Sequence, residues 1–423
     1  MTTATVEETP ETVAVPEPFW TRSRRLGAGI TAIGVIAAVV FGPLAESKTA
    51  KFTLSEDASG AALKINGQLG TILFGVITIV IGVLMLTGRV RRRSNALLVA
   101  GIVTFVISFL CWQVAGQFLP IAATARFSLE LALPLILGAL AGVLGERSGV
   151  VNVGIEAQFL TGAFCAALFG TLATSLWAGV ISAMLGGVLI AALLAVLAIK
   201  FLVDQVVVGV VLNLFAAGIT GFLYDRLMQP NAAKYNQPPH LTDIKVPGLS
   251  SIPVIGPVLF HTNVLVWLAL ILVVVIHFAL KRTRWGLRTR AVGEHPVAAD
   301  TVGVRVRGLR YTNVLIGGLI AGAGGSYFTL ISSDAFTGGM TGGLGYIALA
   351  ALIFGRWTPF GALGAALFFG FTQELANYLG AIGSPVPNQF LNMLPYLATI
   401  VAVAGLVGRV RAPKADGVPY VKS

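Results

Sequence analysis

Charge is scarce in this 423-residue chain: Asp, Glu, Lys and Arg make up only 11% of it, against about a quarter in a soluble domain. A soluble globule of this length could not cover its core with so little charge. Composition therefore excludes a soluble enzyme and a disordered chain. Histidine occurs four times and cysteine twice. His240, His261, His277 and His295 are scattered without metal-binding spacing. Cys111 and Cys165 lie in apolar runs, where a thiol packs as a small hydrophobe. No nucleophile–base motif or cofactor fingerprint occurs, and the G-x-x-x-x-G-K-[ST] phosphate loop is missing. The sequence thus predicts no catalytic residue, no metal and no cofactor bound by this chain, and any ATP would be used by a partner.

What is abundant is apolar. Hydrophobic residues make up 56% of the chain and glycine contributes 50 residues; mean hydropathy is +0.85. A spanning helix needs about 20 mostly apolar residues. Runs suited to this are Leu26–Leu44, Gly70–Thr87, Ala96–Leu119, Ser128–Leu144, Asn152–Leu172, Leu176–Phe201, Gln205–Leu223, Thr262–Leu280, Tyr311–Ile331, Gly345–Phe354, Phe360–Leu379 and Phe390–Val407. Gly345–Phe354 is short for a crossing. The expected fold is all-α, a polytopic membrane bundle of about 10–12 transmembrane segments with re-entrant half-helices as an option.

The net charge of +11 does not point to nucleic acid, because the basic residues sit in short runs between apolar segments. With the N-terminus inside, 22 of the 29 Lys and Arg residues fall on the cytoplasmic side. The positive-inside rule selects that orientation and makes both termini cytoplasmic. Met1–Pro18 carries Glu7, Glu8, Glu11 and Glu17, and reads as part of a disordered tail over residues 1–25. Two outer loops are long, at Ala45–Leu69 and Tyr224–His261. The second is either a solvated connector or a cap on the outer face.

Ionisable and amide groups within spans are costly and mark function by default. Glu130 and Asp204 lie near span ends, as interfacial residues or caps. Asn152, Glu156 and Gln158 cluster at one span start, Asn213 stands alone in another, and Gln373, Glu374 and Asn377 share a third. Asn152 and Glu156 are four apart and so lie on one helical face, with Gln158 elsewhere on the helix. Such groups either line a substrate path or hold helices together by hydrogen bonds. Glycine-rich stretches at 138–154 and 342–364 suggest interrupted helices, which supply backbone groups to a polar substrate. They also raise an internal repeat offset by half the chain.

The cytoplasmic segment Lys281–Arg310 holds eight basic residues around the centre GEHPVAADTVG. The basic flanks suit an anionic leaflet. In the centre, Pro296 suits a first helical position and Gly303 a stop. A short helix held between two spans is suited to receiving force from a soluble partner.

LGERSGVVNVGIEAQFLTGAF (Leu144–Phe164), VDQVVVGVVLNLFAAGIT (Val203–Thr220), LRTRAVGEHPVAADTVGVRVRGLRYTNVLIGGLIAGAGGSYFTL (Leu287–Leu330) and GYIALAALIFGRWTPFGALGAALFFG (Gly345–Gly370) resemble permease subunits of bacterial ABC importers. The type is that of branched-chain amino acids and simple sugars, and the stretches are most similar to nucleoside importers. The resemblance covers about Leu131–Gly408 and is weaker before about residue 125. It implies a permease core over residues 126–408, preceded by further spans over 26–125 and followed by a cytoplasmic tail over 409–423. It implies ABC ATPase subunits below, a second related permease beside the chain, and a substrate-binding protein outside the bacterial plasma membrane. Gly293, Glu294, Pro296, Ala299, Asp300 and Gly303 would be the ATPase-coupling residues. Asn152, Glu156, Gln158, Asn213, Gln373, Glu374 and Asn377 would be candidates for the pathway of a small-molecule substrate, a nucleoside or sugar-type solute. The competing expectation is an ion-gradient-driven secondary transporter, with Glu156 and Glu374 as ion sites.

Overall fold

The structure, a computed structural model, describes residues 20–54, 62–88, 94–384, 386–396 and 411–422. Most of the acidic tail and most of the last apolar run, Phe390–Val407, lie outside the described residues. The chain forms two compact units.

The first unit comprises Met1–Lys51 and Lys64–Phe118. Helix α1 (Arg22–Val35) starts at Thr21, whose hydroxyl accepts from the Arg24 N–H. It therefore takes in Arg22, Arg24 and Arg25, which the sequence alone assigns to the tail. A π-helical turn, Ile36–Phe41, carries it into α2 (Gly42–Leu44). Asn66 caps α3 (Gly67–Leu86), accepting from the Leu69 N–H at 3.1 Å. Helix α4 is Ser94–Gln113; it stops short of Leu119, because residues Phe118–Pro120 are extended. Apolar attraction between helices is weak in lipid, so polar bonds and small residues hold such a unit together. Here the Thr78 and Thr104 hydroxyls bond at 2.8 Å across α3 and α4, and Ser108 Oγ donates to the Thr71 carbonyl at 2.6 Å.

The second unit comprises Phe52–Leu63 and Leu119–Ser423. Its helices begin with α5 (Ile121–Arg147), α6 (Ile155–Ala173), α7 (Leu176–Ala195) and α8 (Gln205–Leu223). The short α9 (Ala232–Tyr235) and α10 (Ile255–Phe260) lead to α11 (Val264–Arg282). Then come α12 (Arg284–Glu294), α13 (Pro296–Thr301) and α14 (Val306–Tyr327). The last are α15 (Leu344–Phe354), α16 (Pro359–Ala381) and α17 (Asn388–Leu391). Helices α5 and α14 are buried along most of their length and form the centre. Helix α14 meets α7 closely enough that a Cβ on Gly187 would stand 2.2 Å from the Gly318 carbonyl oxygen. The opposite face of α8 (Val206, Val207, Val210, Val211, Leu214, Phe215) is exposed and apolar, as suits lipid or another subunit.

Among the described residues, nine helices are long and apolar enough to cross a membrane. The fold is an all-α polytopic bundle. Helix α15 has 11 residues, which rise about 16 Å, roughly half of a hydrocarbon core. It is half the length of a span, and the turn that follows it meets Arg147 at the end of α5.

The loop Tyr224–His261 caps the bundle rather than serving as a solvated connector. The Asn236 side chain donates to the Phe336 carbonyl at 2.9 Å and accepts from the Phe336 N–H at 2.7 Å. The Leu241 N–H donates to Leu330, and the Gln237 N–H to the Thr171 hydroxyl. Arg126 pairs with Asp243, and His240 with Asp334. These bonds tie the loop to the ends of α5, α6 and α14.

Candidate functional site

The polar residues at the start of α6 form a cluster because the helix begins late. Helix α5 ends at Arg147, Gly149 turns the chain at φ +85°, and helix resumes only at Ile155. The first N–H groups of α6 need partners from elsewhere. Asn213, in the middle of α8, supplies one: its Oδ1 accepts from the Ala157 N–H at 2.9 Å. Its amide nitrogen donates to the Val153 carbonyl at 3.0 Å and to the Tyr346 hydroxyl at 2.9 Å.

Glu156 points the other way, into the start of the half-helix α15. One carboxylate oxygen accepts from the Thr341 hydroxyl at 2.6 Å and the Gly343 N–H at 2.9 Å. The other accepts from the Gly345 N–H at 2.7 Å. A negative group at a helix N-terminus satisfies free N–H donors and meets the positive end of the dipole. The approach is so close that a Cβ on Gly345 would lie 2.4 Å from the Glu156 nitrogen.

Asn152 does not share a helical face with Glu156, because it precedes the Gly154 N-cap. The chain there is irregular, and the side chain folds forward onto Gln158. The two buried amides exchange bonds at 3.2 and 3.3 Å. Asn152, Glu156, Gln158 and Asn213 thus come together around the starts of α6 and α15. Gln373, Glu374 and Asn377 lie on α16 and share no bond with them among the described residues. Gln373 bonds Asn377 at 3.4 Å, and Glu374 neighbours Glu130. Sequence reasoning missed Thr341 and Tyr346. Their signal was position, flanking the glycines at the start of the half-helix. Tyr346 is 46% exposed, and its bond to Asn213 uses a lone pair, which leaves the hydroxyl hydrogen to donate.

At the far end of α15 the chain turns through Arg356 and Trp357, with φ of +53° and +52°. Arg147 Nε donates to the Trp357 carbonyl at 2.8 Å, and the Trp357 indole N–H donates to Glu146. The two glycine-rich stretches therefore meet directly.

The segment Lys281–Arg310 runs from the end of α11 through α12 and α13 into the first turn of α14, with Pro296 opening α13 as its chemistry dictates. Gly303 turns the chain after α13 at φ +83°. Its six candidate coupling residues divide by exposure. Gly293 and Ala299 are buried against their own chain, Pro296 and Asp300 are half-buried, and Glu294 and Gly303 are exposed. A Cβ on Gly293 would meet the Arg147 carbonyl oxygen at 2.2 Å. Beside the exposed pair stand Val297 and Val302, 58% and 79% exposed. They are apolar groups with no core to fill, and sequence reasoning passed over them.

Comparison with known families matches residues 124–404 to the permease component of branched-chain amino acid transport systems. The chain is 44% identical over 307 residues to "Guanosine ABC transporter permease protein NupQ" of Bacillus subtilis, covering 70% of this chain and 95% of that protein. It is 38% identical over 299 residues to "Nucleoside ABC transporter permease protein NupC" of Lactococcus lactis, covering 69% and 94%. It is 26% identical over 299 residues to a second Bacillus subtilis protein, "Guanosine ABC transporter permease protein NupP", covering 67% and 83%. No solved structure matches. The chain belongs to the branched-chain amino acid transport permease family and is a membrane-embedded transport component.

Proposed function

We propose that this permease forms part of the translocation pathway of an ATP-driven importer of nucleosides or related ribose-bearing solutes. The observation that carries the reading is the similarity, over most of the chain, to two permeases named for guanosine and for nucleosides. The polar cluster suits such a solute. Asn152, Gln158, Asn213 and Tyr346 offer neutral donors and acceptors, as sugar hydroxyls and base edges require. Gln373, Glu374 and Asn377 line a more distant part of the same path.

In this reading the chain binds no cofactor. Separate ABC ATPase subunits bind ATP and dock at Gly293–Gly303, with Glu294, Val297, Val302 and Gly303 in contact. Closure of the ATPases moves α13 and shifts the bundle between inward- and outward-open states. A second, related permease completes the pathway; two permeases named for guanosine occur together in Bacillus subtilis. An extracytoplasmic binding protein delivers the solute, and both termini face the cytoplasm of the bacterial plasma membrane. The test is purification of this chain from native membranes in mild detergent, with all co-purifying proteins identified. An ATP-binding subunit with a second permease is expected; recovery of the chain alone, under conditions that keep known complexes intact, contradicts the reading.

A further inference from the structure

The stretch at 411–422 packs on the second unit although it lies beyond the matched family region, which ends at residue 404. Its contacts converge on the candidate coupling segment. The Ala415 N–H donates to the Gly293 carbonyl at 2.8 Å. Pro413 stands beside the same glycine. Tyr420, 6% exposed, packs with Val292, Ala299 and Val306, and its hydroxyl lies beside Asp300. Three of the six candidate coupling residues are thus held by this one stretch.

The stretch is in turn anchored to the bundle. Arg310, 1% exposed at the base of α14, donates to the Val418 carbonyl at 3.0 Å and the Ser148 carbonyl at 3.1 Å. Asp416 hydrogen-bonds Glu146 at the end of α5, and Glu146 also accepts from Trp357. An arginine this buried leaves costly orphan donors if its acceptors depart. The stretch therefore joins α12 and α13 to α5, to α14 and to the turn before α16.

We propose that residues 411–422 are a strap that fixes the coupling helices to the spans, so that movement of α13 is passed to α5 and α14, with Tyr420 and Arg310 as its positioning residues. A hinged segment of six residues would otherwise rock under load without moving the bundle. The inference rests on the importer reading for the source of that load.

The test uses the full importer complex in proteoliposomes. The wild type is compared with a chain ending at residue 410, with Tyr420→Ala and with Tyr420→Phe. Two quantities are read: solute imported per ATP hydrolysed, and hydrogen exchange of the Gly293–Gly303 amides. Truncation and Tyr420→Ala are expected to lower import per ATP about tenfold, a typical coupling energy between sites. ATP hydrolysis and co-purification should persist, and exchange should quicken. Tyr420→Phe keeps the ring against Val292 and Ala299 and should restore most of the import. Unchanged import per ATP in the truncated chain overturns the proposal, even if exchange quickens. If the wild-type complex imports nothing, the importer reading has failed; exchange still judges the strap, which unchanged rates overturn and faster rates support.

Discussion

Arg147 and Trp357 stand 210 positions apart in sequence and are joined by a 2.8 Å bond from the guanidinium Nε to the tryptophan carbonyl. The bond holds a turn in which Arg356 and Trp357 both adopt left-handed backbone. Such a conformation costs about 1–2 kcal/mol for a non-glycine residue. The turn persists because α5 grips it from outside. Arg147→Ala is expected to destabilise the second unit by about 2 kcal/mol, the worth of a charged hydrogen bond. A lower melting temperature in detergent checks this, and Arg147→Lys should recover part of the loss.

Glu156 serves three donors at the start of the half-helix. Glu156→Ala strands all three and is expected to cost about 2–3 kcal/mol. Glu156→Gln keeps one acceptor oxygen and should fall between it and the wild type. Thermal melting of the three proteins checks the order. A Glu156→Ala protein as stable as the wild type would mean that the half-helix is held by packing alone.

Tyr346→Phe removes a hydroxyl that accepts from Asn213 and keeps its own hydrogen to donate. Its expected effect is a rise of about fivefold in the KM for uptake, the loss of one neutral hydrogen bond of about 1 kcal/mol. The melting temperature should fall as well, because the Asn213 amide loses an acceptor. A melting shift without a KM change would assign the hydroxyl to packing through Asn213.

Gly293→Ala places a methyl group where the Arg147 carbonyl oxygen already stands, 2.2 Å away. Either α12 or the end of α5 must shift, and the Ala415 bond shifts with it. Import per ATP is expected to fall while ATP hydrolysis continues, as a parallel assay of both rates would show.

The strap carries a pH dependence. Burial raises the Asp416 carboxyl to about 7, against the lowering effects of its Glu146 hydrogen bond and the Arg310 charge. Glu146 faces it from α5 and Arg310 from α14; Tyr420, on its own segment, turns to Asp300 and Arg310. The docked strap therefore holds a proton that the undocked carboxyl releases near pH 4. Docking is strongest below that value and weakens as pH rises through about 7. A spin label on Lys414→Cys should be immobile at about pH 6 and more mobile at about pH 8. Adding Asp416→Asn removes one of two coupled carboxyls and should change the midpoint of the profile.

The spans were legible in the sequence because a membrane demands long apolar runs, and α13 because proline and glycine mark its ends. The site was half legible. Glu156 and Asn213 stood out as polar groups in apolar surroundings, but their partners did not. Thr341, Tyr346 and the N–H groups of α15 come from the other half of the chain. Asn152 was misread because helical spacing was applied across residues that are not helical. The strap was hidden for a different reason: RAPKADGVPY is polar enough to pass for a solvated tail. What buries it is Arg310, which reads in sequence as one more basic residue of a cytoplasmic flank. The cap formed by Tyr224–His261 rests on carbonyls, on Asn236 and on the distant pairs Arg126–Asp243 and His240–Asp334, which carry no such signal.

The most direct measurement is uptake of radiolabelled guanosine into proteoliposomes that hold this chain with its co-purifying partners and ATP inside the vesicle on the ATPase side. The account predicts uptake that needs ATP, stops when the ATPase is catalytically dead and survives collapse of proton and sodium gradients. Uptake that persists with the dead ATPase and stops with an uncoupler would contradict it.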